Sequence, residues 1–350
     1  MLLLSSDRSC TSRRILIIAF VLPLSAEASG CSTREDGGFR VVAPTEFGGH
    51  ARDVKAVAFS PDGKILATAS GDQTVNLWQM PDRRVRATLR GHERLVTAVC
   101  FSPDGKLVVT GSAQDPEHGE FKIWATESGV EIATVKSHSR YIDSLAFSFD
   151  GKYVVSAGKD SVKVWDVASR VMKMTLGGQR SPVAASPRGQ ELATAGCDGS
   201  VTVWRDFLGA ERYTIPSLCR HIEALAFSPD GHILALSSDS YHDAKRGSII
   251  LWDIENNVEF ARLQGHRRVV FALGFSRDGK ALASIGPVEG KDGTYEELQI
   301  WDVGNRQERQ TLRAKGKGPL AHCLAFSPDG GSVVSGGYSA RLWSLDWEER

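Results

Sequence analysis

Phe59-Ser60-Pro61-Asp62-Gly63 is the stretch that decides the fold, because the chain repeats it. It returns as Phe101-Ser102-Pro103-Asp104-Gly105, as Phe227-Ser228-Pro229-Asp230-Gly231 and as Phe326-Ser327-Pro328-Asp329-Gly330. Two altered copies read Phe147-Ser148-Phe149-Asp150-Gly151 and Phe275-Ser276-Arg277-Asp278-Gly279. The chemistry is that of a hairpin: Pro presets φ, Asp bonds to nearby backbone, and Gly takes the positive φ that closes a tight turn. Each copy therefore predicts two antiparallel strands joined by a short turn.

Each turn runs into an apolar strand such as Ile65-Leu66-Ala67-Thr68, then a second turn, then a strand ending in Trp. Those Trp are Trp78, Trp124, Trp165, Trp204, Trp252, Trp301 and Trp343, spaced by roughly 40 to 50 residues. Gly-His precedes several units, at Gly49-His50, Gly91-His92 and Gly265-His266, with Ser137-His138 and Arg220-His221 as variants. Trp-Asp closes units at Trp165-Asp166, Trp252-Asp253 and Trp301-Asp302. Over residues 38–343 this pattern resembles the WD-repeat family, of bacterial exported or lipoprotein type given the N-terminus described below. A single Gly-His or Trp-Asp would carry no weight; the repetition makes the resemblance specific.

Seven Trp-ended units imply an all-β, seven-bladed propeller of four-stranded antiparallel blades. The last unit stops too soon after Trp343 for a fourth strand of its own. Residues 39–47 precede Gly49-His50 as residues 85–89 precede Gly91-His92, so residues 39–47 are expected to supply that strand and close the ring.

Composition agrees. Gly stands at 35 and Met at 4, which favours short strands and tight turns over long helices. Lys+Arg and Asp+Glu balance at 42 each, so no global field recruits nucleic acid. The 6 Cys are too few and scattered for a disulfide scaffold or a zinc finger. Cys197 and Cys219 lie where adjacent blades could join them.

The first thirty residues read as a signal peptide. Arg8, Arg13 and Arg14 precede an apolar run over residues 15–24, which is too short to span a bilayer. Ala26-Glu27-Ala28 suits a general signal peptidase, whereas Ala28-Ser29-Gly30-Cys31 resembles a lipobox with Ala28 in the usual Leu position. Lipidation at Cys31, plain secretion and a misassigned start codon all remain open. The expected layout is a signal peptide at 1–30, a polar tether at 31–38 and the propeller at 39–350.

The resemblance also implies a buried relay in each blade, which maps to His50, Thr68, Asp72 and Trp78 in the first and to His138, Ser156, Asp160 and Trp165 in the third. Recurrence from blade to blade argues for structure over catalysis. The fourth blade, with Gly177-Gly178-Gln179, and the seventh, with Gly316-Lys317, lack the Gly-His. No phosphate loop, metal-ligand cluster or nucleophile elbow appears, so no catalytic residue, metal or cofactor is expected.

Binding is expected on the top face, which by resemblance carries the loops before each first strand and the turns between second and third strands. Three of those turns are long, at 113–120, 239–247 and 286–297, and include Tyr241 and Tyr295. Arg52, Arg94, Arg140 and Arg268 each follow their blade's His by two residues, and Arg180 falls in the comparable loop of the fourth blade. They could face an anionic partner or pair with neighbours such as Asp53, Glu93 and Asp143. The leading expectation is a monomeric scaffold for protein or peptide partners at the bacterial cell envelope. An exported propeller enzyme or small-ligand carrier using the channel mouth is the alternative, which carboxylates or His lining that mouth would favour.

Overall fold

The turn motif folds as its chemistry requires. The Ser60 hydroxyl donates to Asp62 at 2.7 Å and accepts the N–H of Ile65 at 2.9 Å, while Gly63 sits at φ 71°. The same geometry returns at Ser102, Ser148, Ser228, Ser276 and Ser327, with the following glycines between φ 70° and 77°. In this computed structural model the described residues are 33–36, 39–112, 119–138, 141–177, 179–216, 221–239, 247–290, 293–316, 318 and 320–345.

Those hairpins assemble seven antiparallel blades. Blade one runs from the axis outward as Val54–Phe59, Ile65–Ser70, Val75–Gln79 and Arg84–Leu89. The innermost strands Val54–Phe59, Val96–Phe101, Ser144–Phe147, Gln179–Ala185, Ile222–Phe227, Ala272–Phe275 and Cys323–Phe326 contact one another in sequence, and the last returns to the first. Burial follows position: every residue of Val54–Phe59 is buried, whereas Arg84–Leu89 is largely exposed. Both faces of an inner strand pack against neighbouring blades, which is why these strands read as continuous apolar runs. Each buried Phe or Leu contributes about 1.5–3 kcal/mol.

Closure by the N-terminus is narrower than residues 39–47. Only Thr45–Phe47 forms the fourth strand of blade seven, where Thr45 faces Leu342 and Phe47 faces Ala340. Pro44 has no N–H to continue a ladder, and the chain breaks there. Upstream, Phe39–Val42 pairs in parallel with the outer strand Gln307–Lys315 of blade six, and Thr33–Asp36 adds a further antiparallel strand. Part of the expected tether is thus sheet, and blade six has six strands.

The expected long turn at 286–297 is also regular. Ala281–Gly290 and Gly293–Asp302 pair along their whole length, so blade six projects a long two-stranded hairpin. Residues 113–118 and 240–246, which hold the other two insertions and Tyr241, lie outside the described residues.

Candidate functional site

The recurrent polar constellation is a chain of hydrogen bonds. In blade one the Trp78 indole donates to Thr68 Oγ1 at 2.8 Å, Thr68 lies 2.8 Å from His50 Nε2, and His50 Nδ1 lies 2.9 Å from Asp72. Blade three repeats it with Trp165, Ser156, His138 and Asp160 at 2.9, 2.8 and 2.9 Å. One proton assignment satisfies every group: Trp N–H to hydroxyl, hydroxyl to Nε2, Nδ1–H to carboxylate. Burial holds the His138 pKa below its ordinary value, so the ring is the neutral acceptor this assignment needs. Burial alone would raise the Asp72 pKa. Hydrogen bonds from Thr74, the Ala51 backbone and His50 outweigh it and pull the value down to about 2.

The order Ser/Thr–His–Asp is that of a hydrolase triad, but the hydroxyls cannot serve as one. Thr68, Thr110, Ser156 and Ser284 are 0% exposed, and each already accepts a Trp N–H. No substrate reaches them.

Five blades vary the relay. In blades two and six Gln114 and Val288 stand four residues after Thr110 and Ser284, where blade one has Asp72, and a Glu reaches back from the third strand. Glu120 stands 3.3 Å from His92 Nδ1, and Glu297 stands 3.5 Å from His266 Nδ1. Both lie four residues before their Trp, a spacing visible in the sequence. In blade four Gln179 replaces the His by accepting the Thr194 hydroxyl at 2.9 Å, while Trp204 donates to Thr194. In blade five Leu236 occupies the Thr register, and Trp252 turns to Asn257 at 3.2 Å. Among its described residues blade seven keeps the Trp343–Ser335 bond at 2.8 Å and no other link of the relay.

The arginines divide. Arg52, Arg94 and Arg268 are exposed in the loops before the innermost strands of blades one, two and six. Arg268 pairs with Glu289 on the projecting hairpin. Arg180 lies within the innermost strand of blade four, opposite Ala195, and not in a loop. Arg140 lies outside the described residues, and Tyr295 is half-buried on the hairpin. Cys197 is exposed in the turn of blade four, whereas Cys31 and Cys219 lie outside the described residues.

Near the start of each innermost strand the ladder register shifts or begins, and one residue per blade stands there: Lys55, Thr97, Asp143, Ser181, Glu223, Phe271 and His322. Neighbours touch across blades, as the Phe271 and His322 rings do at 4.7 Å. Lys55, Asp143 and Glu223 are no more than 8% exposed. This belt at the axis mixes one ammonium, two carboxylates and an imidazole. Arginine does not dominate it. Among the described residues no group of three His, Cys, Asp or Glu is placed to hold a metal, and no helix is long and apolar enough to cross a membrane.

A closed ring of seven blades, stabilised by buried relays and presenting polar loops at one face, defines a β-propeller binding platform. The model for "WD domain, G-beta repeat" matches residues 43–79, 83–124, 129–166, 171–205 and 306–344, more than half the chain, and the chain belongs to that family. Each of the first two matched stretches starts at the outermost strand of one blade and ends at the Trp of the next. Propellers of this family typically act as protein-interaction scaffolds. The chain is 30% identical to an uncharacterized WD repeat-containing protein of Synechocystis over 43% of its own length and 39% of that protein. It is 25% identical to telomerase protein component 1 of Mus musculus over 86% of its length, but only 11% of that protein. It is 32% identical to coronin-7 of Bos taurus over 43% and 16%. The matches thus span less than half of each of these relatives.

Proposed function

We propose that this chain is a protein-binding scaffold of the bacterial cell envelope, which docks protein or peptide partners on its top face. The matched exposure of Arg52, Arg94 and Arg268 around one end of the ring carries the reading. Guanidinium groups recognise carboxylates in a bidentate manner and are enriched at interface hot spots. The blade-six hairpin enlarges the same face and meets it through the Arg268–Glu289 pair. The envelope assignment is supported by the basic start, the short apolar run and Cys31, with a lipid on Cys31 or free passage into the periplasm as its two forms. A single closed ring completes its own core, which supports a monomer.

Capture from membranes of the source organism tests the docking face. The wild type should retain a partner that the triple variant Arg52→Glu, Arg94→Glu, Arg268→Glu loses. Equal retention by both overturns the role of these arginines. Cys31→Ser separates the two envelope forms by releasing a lipid-anchored chain from the membrane fraction.

The axial belt favours a second reading. Asp143, Glu223 and His322 at the channel mouth supply the carboxylates and imidazole that a small polar ligand would meet, and an exported carrier or enzyme would use that mouth. Retention of a small molecule by the purified wild type, lost in Glu223→Gln with an intact thermal transition, would favour it over the scaffold.

A further inference from the structure

Six innermost strands end in a phenylalanine at one register. Phe59 faces Leu66, Phe101 faces Val108, Phe147 faces Val154, Phe227 faces Leu234, Phe275 faces Leu282 and Phe326 faces Val333. In blade four the residue at that register, opposite Leu192, is Ala185. One phenyl ring of seven is missing.

The turns beyond this layer show a second gap in the same place. A Cβ added to Gly105 would meet Pro61 at 3.5 Å, one on Gly151 would meet Pro103 at 3.5 Å, and one on Gly279 would meet Pro229 at 3.4 Å. In blades one, two, five and seven the turn's Pro therefore covers the glycine of the next turn and seals the bottom face there, whereas Arg277 stands in the Pro position of blade six and a Cβ on Gly330 would meet nothing within 4 Å. Between blades three and four the seal fails: Phe149 replaces the Pro and is 49% exposed, and no residue of blade three lies among the nearest neighbours of Gly189.

A pocket of about 290 Å³ opens here, lined by Phe147 and Phe149 of blade three and Ala185 and Pro187 of blade four, and it extends to Phe101 and Pro103 of blade two. A dry apolar cavity of about 150 Å³ is enough to hold benzene. The lining carries no ionised side chain, and burial keeps the Cys100 thiol protonated. We infer that this pocket is a binding site for a small uncharged aromatic compound of one or two rings, one ring of which takes the place of the absent seventh phenylalanine. The site lies on the face opposite the arginines, so it stands independently of the scaffold reading.

Indole is a suitable probe, with the full chain as the receptor. Indole at tenfold over its dissociation constant should raise the thermal midpoint of the wild type by about 1–3 °C and broaden its own NMR lines. Ala185→Phe should abolish both effects, since the added ring occupies the site. Ala185→Leu fills the pocket with less demand on geometry and is read the same way if the Phe variant does not fold. No line broadening with the wild type, or equal broadening with a folded filled variant, overturns the assignment.

Discussion

Arg341 of blade seven places Nη1 2.8 Å from Oε2 of Glu296 in blade six, with both side chains no more than 3% exposed. The same guanidinium reaches Glu46 at 3.4 Å and the Lys315 carbonyl at 3.3 Å. One side chain thus ties together the projecting hairpin, the outer strand of blade six and the N-terminal strand that closes the ring. Burial keeps the Glu296 pKa above its ordinary value even beside Arg341. Desolvation therefore dominates, and the pair depends on its geometry.

Removing one partner of such a pair strands the other charge. Arg341→Met should destabilise the chain by about 3–5 kcal/mol, and the double variant Arg341→Met, Glu296→Leu should recover much of that loss. Urea midpoints of the wild type and the variants check this. A single variant no less stable than the double would contradict it.

Phe47 is the apolar anchor of the closing strand. It is 5% exposed, and its ring meets Trp78 edge-on at 5.3 Å. Phe47→Ala should cost about 3–5 kcal/mol. Hydrogen exchange should then rise first in Ala340–Ser344, the strand that Thr45–Phe47 covers.

The relay predicts a contrast between blades. Thr68→Val removes the group that serves both Trp78 and His50, so it should cost about 2–3 kcal/mol. Asn257→Gly, at a φ of 55° that Gly accepts, removes only the 3.2 Å bond from Trp252 and should cost about 1 kcal/mol or less. Equal losses in thermal or urea unfolding would mean that the relay is not what stabilises blade one.

Acid should act partly through Asp72. Its pKa falls from 3.8 to about 2 on folding, so the unfolded chain binds the proton more readily. The stability that the carboxylate contributes is complete above about pH 4 and is lost as pH falls towards 2. Asp72→Asn should therefore narrow its stability deficit against the wild type across that window. Urea midpoints at pH 5, 4 and 3 measure it; other turn aspartates with lowered pKa values, such as Asp62 and Asp104, act equally in both chains.

The repeat of Phe-Ser-Pro-Asp-Gly and Trp determined the seven-bladed propeller without reference to coordinates, because turn chemistry is local and its period counts the blades. Likewise His50, Thr68, Asp72 and Trp78 were legible as one relay. The family resemblance supplied that grouping; in the structure His50 and Asp72 stand in loop and turn, and Thr68 and Trp78 lie diagonally on adjacent strands. Gln179 standing in for a His was not legible, since its role depends on Thr194 lying opposite across the ladder. Nor was the split of residues 39–47 between two blades, although Pro44 marked the break.

Tertiary structure alone decided which exposed and buried charges meet. Arg341 and Glu296 are 45 residues apart, and nothing in the local pattern at either position pairs them. The void at Ala185 is a similar case: a small residue in an apolar strand becomes a cavity only when six neighbours supply phenylalanines at the same register. Local sequence sets the turns and strands. Packing between blades, which joins residues distant along the chain, sets the sites.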